Sequence, residues 1–433
     1  MNAHEQAREH LLIAAKEFDR CIKCGKCRSV CPVFRVMANE LFVARGKLKI
    51  AQMVADGTLP ITKRVREALD ECLICKTCTA NCPSGVRTEE VVLRLRWYIT
   101  TMKGLHFVKA IIFRFILWQR WPLTIGAKCI GLAQRIFFGI GPKNPVRLLF
   151  PLFGISHRRN FPKFALRSTL GKYPEVVPAV GKPKMRVGYF VGCAANFIYT
   201  KTADAVIDVL THYGYEVVIP KAQKCNGTPV FANGDYDGAK KFMEHNFALF
   251  DRYKLDAIVV ACSSCGLSLK KEIAHFIPDT AQRREFTGKV YDIHEFIEKH
   301  ITLAPKDLAP LNKSVTYHDP CHLGRGQGVT KEPRAILKKI PGVNFVEMKN
   351  PDVCCGGAGS YSVTHYTNSV AINRQKTTDI KNADTELVAT GCPICVMHMQ
   401  DNLIQNNLPQ QTTFVIELLA ESLRKKRETE PVR

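Results

Sequence analysis

Between Val91 and Pro174 the chain has no aspartate and no glutamate. No uncharged apolar run comes near the ~18–20 residues needed to cross a bilayer, so a transmembrane helix is not expected. No apolar stretch behind a basic lead opens the chain; Met1 to Asp19 is polar and helix-forming, which argues against secretion. No G-x-G-x-x-G stands between a strand and a helix, so neither a dinucleotide nor a flavin is expected on this chain. Charged residues are 23% of the 433 against 46% apolar, which excludes a disordered or collagenous chain and leaves room for about two to four domains.

What the sequence has is cysteine, 18 in all. In a reducing compartment, short fixed spacings argue for metal ligands over disulfides. Cys21-x-x-Cys24-x-x-Cys27-x-x-x-Cys31-Pro32 is followed by Cys72-x-x-Cys75-x-x-Cys78-x-x-x-Cys82-Pro83. Two-residue gaps let three thiolates converge on one cubane, while the fourth, followed by proline, is carried to the other cluster. The expected ligand sets are therefore Cys21, Cys24, Cys27 and Cys82 for one [4Fe-4S] cluster, and Cys72, Cys75, Cys78 and Cys31 for the second. A pair of zinc sites would use C-x-x-C pairs but leaves the matched cysteine-proline ends unexplained. Two cubanes imply single-electron transfer.

From about residue 184, short β-branched runs alternate with amphipathic segments, the pattern of an α/β fold. This zone is an internal repeat. Arg186-Val-Gly-Tyr-Phe-Val-Gly-Cys193 aligns with Ser314-Val-Thr-Tyr-His-Asp-Pro-Cys321, Lys224-Cys225-Asn226-Gly227 with Val353-Cys354-Cys355-Gly356, and the Cys262-x-x-Cys265 segment with Cys392-x-x-Cys395. The second copy offers five thiols, Cys321, Cys354, Cys355, Cys392 and Cys395, more than one cubane needs, which suggests an unusual cluster. The first offers four, Cys193, Cys225, Cys262 and Cys265, because Asn226 takes the place of the second paired cysteine. Four suffice for an ordinary [4Fe-4S] cluster; the alternative is a half that has kept its fold and lost its cluster.

The repeated Cys…Cys-Cys-Gly…Cys-x-x-Cys pattern resembles the cysteine-rich (CCG) domain of heterodisulfide reductase subunits, of glycolate and lactate oxidase iron–sulfur subunits, and of the corresponding iron–sulfur component of anaerobic glycerol-3-phosphate dehydrogenase. Tyr317-His-Asp-Pro-Cys321-His322 and Cys354-Cys-Gly-Gly-Ala-Gly-Ser-Tyr361 carry the match; Ser156–Lys163 and Lys224–Gly234 look most like the glycerol-3-phosphate component. The resemblance implies α+β with α/β: an N-terminal alpha-helical bis-[4Fe-4S] ferredoxin domain (1–96), a basic amphipathic helical connector (97–174), and tandem α/β cysteine-rich domains (184–305 and 306–433). It also implies a noncubane [4Fe-4S] cluster on the five second-half cysteines. In heterodisulfide reductases both halves carry such assemblies and together cleave a disulfide; Asn226 departs from that pattern and favours electron relay. His318, His322 and Arg325 flank Cys321 and could serve a cluster, a proton or a substrate anion, or simply finish a strand end.

The acid-free stretch carries fifteen lysines and arginines and all three tryptophans, Trp97, Trp118 and Trp121. On a helical wheel of residues 105–120, His106, Lys109 and Arg120 share one face with Arg114 at its edge, opposite Leu105, Val108, Ile111, Ile112, Phe115, Ile116 and Trp118. A basic face opposite apolar residues is the pattern of a helix lying in a membrane interface; packing against the protein's own domains is the alternative, and the apolar content exceeds what nucleic acid requires. Cys129, without a thiol neighbour, is expected to be a buried free thiol.

Together these features predict an iron–sulfur electron-transfer subunit of a membrane-associated dehydrogenase complex, cytoplasmic and peripheral on the inner face of the cell membrane. Its partner would be an FAD-containing dehydrogenase oxidising glycerol 3-phosphate, glycolate or lactate, and its acceptor a membrane quinone. The alternatives are a disulfide-reducing subunit acting at a noncubane cluster, and a relay for an electron-transfer flavoprotein.

Overall fold

A computed structural model describes residues 2–138 and 159–429. The proline-punctuated part of the connector, with Pro142, Pro145, Pro151, Lys143, Arg147 and residues 156–158 of the Ser156–Lys163 segment, lies outside the described residues.

Among the described residues no strand precedes Val176, and the amino-terminal domain is helical. Asn2 caps the helix Ala3–Lys16 reciprocally with Glu5, and that helix packs on Ala44–Ala55 and Thr88–Lys103. Their apolar faces, including Leu11, Leu48, Val91, Val92 and Leu95, close one small core.

The carboxy-terminal region holds two sheets. Strands β1 (Val176–Val177), β2 (Met185–Phe190), β3 (Tyr215–Val218), β4 (Ala257–Val260) and β5 (Val290–Asp292) are ordered β1-β3-β2-β4-β5. All pairs are parallel except the β1 edge. Strands β6 (Lys313–Tyr317), β7 (Val343–Phe345), β8 (Leu387–Thr390) and β9 (Gln411–Phe414) form a fully parallel sheet ordered β7-β6-β8-β9. The two orders are the same once β1 is set aside, so the sequence repeat is a repeat of topology. Helices cover both faces of each sheet, which is why runs such as Ala257–Val260 are wholly buried and apolar. One continuous core joins the halves, from Val187 and Val259 to Val315 and Ala389.

This topology sets the cysteines. In each half the chain leaves the first strand in one direction and the third in the other, opening a crevice at their carboxyl ends. Cys193 and Cys262 follow β2 and β4, and Cys321 and Cys392 follow β6 and β8.

The expected helix 105–120 is present with a changed centre: Phe107–Ala110 and Leu117–Gln119 are α-helical, and Ile111–Ile116 is a π-turn. Two of its cations reach back onto the protein, although Arg114 stays largely exposed. Arg114 forms a bidentate pair with buried Asp235 at 3.0 and 3.1 Å, and Arg120 donates to Lys221 O and Gln223 O. Trp118 meets Phe242 edge-on and lies under the Lys224 ammonium. Phe107, Val108, Ile111, Ile112 and Phe115 are exposed instead, as are Trp121, Ile125, Ile130, Leu132 and Ile136 of the next helix, Trp121–Phe138. Cys129 is exposed on that helix, correcting its expected burial: its side is turned away from the contacts that Gln134 and Arg135 make to the 162–164 segment. Among the described residues no helix is long and apolar enough to cross a membrane.

Candidate metal centres

Each ferredoxin-like motif curls in the same way. The residues on either side of its second cysteine, Lys23 and Gly25 in the first and Ile74 and Lys76 in the second, have left-handed backbones. That curl turns three thiols inward before a short helix starts, Lys26–Val30 or Thr77–Ala80. A pocket of about 30 Å³ is lined by Cys21, Cys24, Cys27 and Cys82, with Cys78 at its side. A second of about 30 Å³ is lined by Cys31, Cys72, Cys75 and Cys78. The structure thus gathers the cysteines in the crossed grouping expected from the spacing. Burial pushes the thiols of Cys27, Cys31 and Cys78 above their ordinary value, so these nests hold thiolates only against a compensating cation. Four or more thiols converging on one pocket are the donor set of an iron–sulfur cluster.

The cysteine-rich halves face each other across one cavity of about 200 Å³. Cys193, Cys262 and Cys265 from the first half and Cys321, Cys354, Cys355, Cys392 and Cys395 from the second line it. Cys225 sits behind, its thiol in contact with that of Cys193. Cys262 and Cys392, equivalent in the repeat, touch across the junction, and Ser263 N and Oγ both donate to Gly391 O, at 3.2 and 2.8 Å. Cys262 and Cys392 each cap a helix, Ser263–Lys270 and Pro393–Gln405. For Cys392, the contacts with Cys262 and Cys395 and then the amides of Cys395 and Ile394 pull the thiol down.

The paired-cysteine loop needs its glycine. Gly356 has φ +84°, and a Cβ there would meet Ser369 O at 2.6 Å; Gly227 is its counterpart at φ +83°. Helix Tyr366–Ala383 fixes the loop: Asn373 donates to Cys355 O and Ser369 to Gly356 O, while buried Lys376 donates to Asn350 O and Pro351 O. In the first half Asn226 is occupied within its own loop. Its amide donates to Thr228 Oγ1 at 2.5 Å and Ser264 O at 3.4 Å, and its carbonyl accepts from Thr228 N.

Of the three polar residues flanking Cys321, His322 joins domains, with Nδ1 at 3.0 Å from Ser264 Oγ and Nε2 at 3.3 Å from Ile74 O. Arg325 donates to Cys75 O and Asp352 O. His318 is buried beside Cys355 and Cys395.

Sequence reasoning missed the residues that dock the amino-terminal domain on this cavity. Tyr361 donates to Glu71, the neighbour of Cys72, at 2.6 Å, and Asn368 donates to the same carboxylate. Arg96 donates to Leu69 O, Cys72 O and Ala232 O. Helix Thr88–Lys103 comes so close to Gly234 that a Cβ there would meet Arg96 O at 2.4 Å. Such contacts have no spacing signature, although a glycine at 234 is a trace of one.

Comparison with known proteins gives a 4Fe-4S dicluster domain at residues 17–86 and a cysteine-rich domain twice, at 187–270 and 315–400. The chain is 28% identical over 396 residues to a probable glycolate oxidase iron-sulfur subunit of Bacillus subtilis, covering 89% of this chain and 88% of that one. It is 28% identical over 409 residues to a fumarate reductase (CoM/CoB) subunit of Methanothermobacter marburgensis, covering 93% and 72%. It is 24% identical over 434 residues to a dihydromethanophenazine:CoB–CoM heterodisulfide reductase subunit of Methanosarcina barkeri, covering 94% of each.

Proposed function

We propose that this chain, which belongs to the iron–sulfur oxidoreductase subunits joining a 4Fe-4S dicluster domain to tandem cysteine-rich domains, relays electrons within a multi-subunit dehydrogenase complex. Its partner is a flavoprotein oxidising a hydroxy substrate of the glycolate, lactate or glycerol 3-phosphate class, and its acceptor is a membrane quinone. The observation that carries the reading is the unbroken series of thiols. The Cys21 nest adjoins the Cys31–Cys72 nest through Cys78, which lines both, and Cys75 touches Cys354 of the second half.

In this reading Cys21, Cys24, Cys27 and Cys82 hold one cubane, and Cys72, Cys75, Cys78 and Cys31 the other. Cys321, Cys354, Cys355, Cys392 and Cys395 hold a noncubane [4Fe-4S] group, and Cys193, Cys225, Cys262 and Cys265 hold a further [4Fe-4S] cluster. Bound iron–sulfur groups supply one-electron storage. The chain's own residues position them, exclude water and set their electrostatics. The relative named as a glycolate oxidase subunit supports the substrate class.

Attachment to an anionic membrane surface is supported by the outward apolar residues from Phe107 to Ile136 in a stretch with no acidic residue. On anaerobically purified protein, about sixteen irons per chain and binding to phosphatidylglycerol vesicles are expected, with no substrate oxidation by the chain alone. Turnover of a hydroxy acid or glycerol 3-phosphate without a partner overturns the relay.

A second reading is favoured by the cavity itself, which has room between the two halves and resembles in layout a site for two thiol-bound groups facing one substrate. Disulfide reduction driven by an artificial reductant, and lost in Cys355→Ser, would establish it; the relative named as a heterodisulfide reductase subunit makes this the alternative to test.

A further inference from the structure

His318 follows strand β6 directly and is held on every side. Its amide donates to Ala389 O, its carbonyl accepts from Thr390 Oγ1, and only 1% of its surface is exposed. Ring Nδ1 lies 3.1 Å from Pro351 O. A carbonyl oxygen can only accept, so Nδ1 carries the proton and Nε2 of the neutral ring presents a bare lone pair. Pro351 O is itself fixed by Asp319 N and Lys376 Nζ, so the ring cannot readily turn.

Nε2 has no hydrogen-bond partner. With Nδ1 engaged by Pro351 O, Nε2 is the nitrogen left for the second-half thiols: a ring nitrogen of His318, Cys355 Sγ and Cys395 Sγ lie within 4.8 Å of one another. A backbone carbonyl fixing one ring nitrogen while the other faces buried thiols is the usual arrangement of a metal-bound histidine. The other buried imidazole near Cys355, His398, also has one nitrogen without a partner, Nδ1, its Nε2 being engaged by Ser369 Oγ at 3.0 Å, but His318 is the imidazole that groups with Cys355 and Cys395 within 4.8 Å among the described residues.

The internal repeat supplies an independent observation. His318 aligns with Phe190 and Cys355 with Asn226, so the first half lacks both members of the pair together, and the places are taken by a buried aromatic ring and an amide satisfied within its own loop. Residues that only finish a strand end would have no reason to disappear with a particular thiol.

We propose that His318 Nε2 is an iron ligand of the group held by the second half, giving that site one imidazole nitrogen beside its thiolates and making it chemically unlike the all-thiol first half. The bond is a dative one from the ring lone pair, with no change of oxidation state. The inference rests on the reading that the second half binds an iron–sulfur group. A neutral nitrogen ligand adds no negative charge where a further thiolate would, so the group's reduction potential stays above that of a site with the same number of donors all thiolate.

The test is pulsed EPR on the full-length, anaerobically purified protein, with and without ¹⁵N-histidine. Expected is a nitrogen coupling of ligand strength that changes isotope on labelling, is lost in His318→Gln and persists in His398→Gln. The unsubstituted labelled protein decides the matter even where His318→Gln fails to fold. Full iron content with no ligand-strength histidine coupling overturns the nitrogen ligand and leaves the relay standing. About eight irons per chain, the two cubanes alone, overturns both.

Discussion

The thiol of Cys75 is in hydrogen-bond contact with the thiol of Cys354. The amino-terminal domain therefore opens its second nest onto the second cysteine-rich half. Arg325, whose Nε donates to Cys75 O at 2.9 Å, sits beside this contact with its remaining nitrogen, Nη2, unpaired and buried. Burial alone would lower the pKa of its guanidinium, but the nearby Cys75, Cys321 and Cys354 raise it. A cation shared by thiols of two nests biases both towards the reduced, more negative state.

Arg325→Gln should leave the iron content unchanged and make the groups at this junction harder to reduce. Loss of one nearby charge in a site of intermediate dielectric is worth on the order of 1–2 kcal/mol, roughly 40–90 mV for one electron. EPR-monitored redox titration of variant and wild type measures it, and an unchanged midpoint would place the guanidinium's effect in packing alone.

Cys31→Ser should remove the cluster of the Cys72 motif and spare that of its own motif, because Cys31 lines the pocket with Cys72, Cys75 and Cys78. Cys82→Ser should do the converse. Each variant is expected to lose up to about four irons per chain, and the two should lose different EPR signals. Loss of the same signal in both would reject the crossed grouping.

The cysteine spacings, the internal repeat and the α/β character were legible in the sequence because a metal nest and a strand end are local constraints that repeat. Docking was not. The wheel of residues 105–120 assumed one α-helical period, which the π-turn Ile111–Ile116 interrupts, and periodicity does not say which face is covered; Asp235, Lys221 O and Gln223 O claim Arg114 and Arg120, Trp118 packs inward on Phe242, and Phe107, Val108, Ile111, Ile112 and Phe115 are left outward. Asn226 read as a missing ligand, and its bonds to Thr228 and Ser264 give it a structural task that no alignment within the chain could reveal. Glu71 and Tyr361 are far apart in sequence and meet only once both domains are folded.

Arg96→Met should loosen the amino-terminal domain from the first half. The guanidinium is nearly buried and donates to Ala232 O at 2.7 Å and Cys72 O at 2.9 Å, so its loss strands carbonyls from both domains. A cost of about 2–4 kcal/mol is expected from hydrogen bonds to a charged group, read as a lower urea midpoint and faster proteolysis between the domains. Arg96→Lys should recover only part, since an ammonium cannot span the same carbonyls as the planar fork.

Stability should fall in mild acid through His10. Arg94 donates to His10 Nδ1, and a guanidinium can only donate, so that nitrogen must stay unprotonated. Burial and then the Arg94 charge bring the His10 pKa from 6.5 down to about 4. Between those values the unfolded chain takes up the proton first, so stability is lost as pH falls from about 6.5 towards 4 and is unaffected by this group above that window. The ring is only half buried, so after solvent screening the effect is on the order of 1–2 kcal/mol. Its neighbour Glu90 acts lower: burial, which alone would raise its carboxyl, is outweighed by the hydrogen bond and charge of His275 and by Arg94, holding it at about 2. Its contribution, present above about 4.5, is lost as pH falls towards that value. Urea midpoints measured from pH 7.5 to 5 leave Glu90 out; burial holds His212, His300 and His398 below their ordinary value too, so the share of His10 is read from its variant. His10→Gln, whose carbonyl can still accept from Arg94, should flatten the decline over that range, and an equally steep decline in the variant would assign the acid sensitivity to another group.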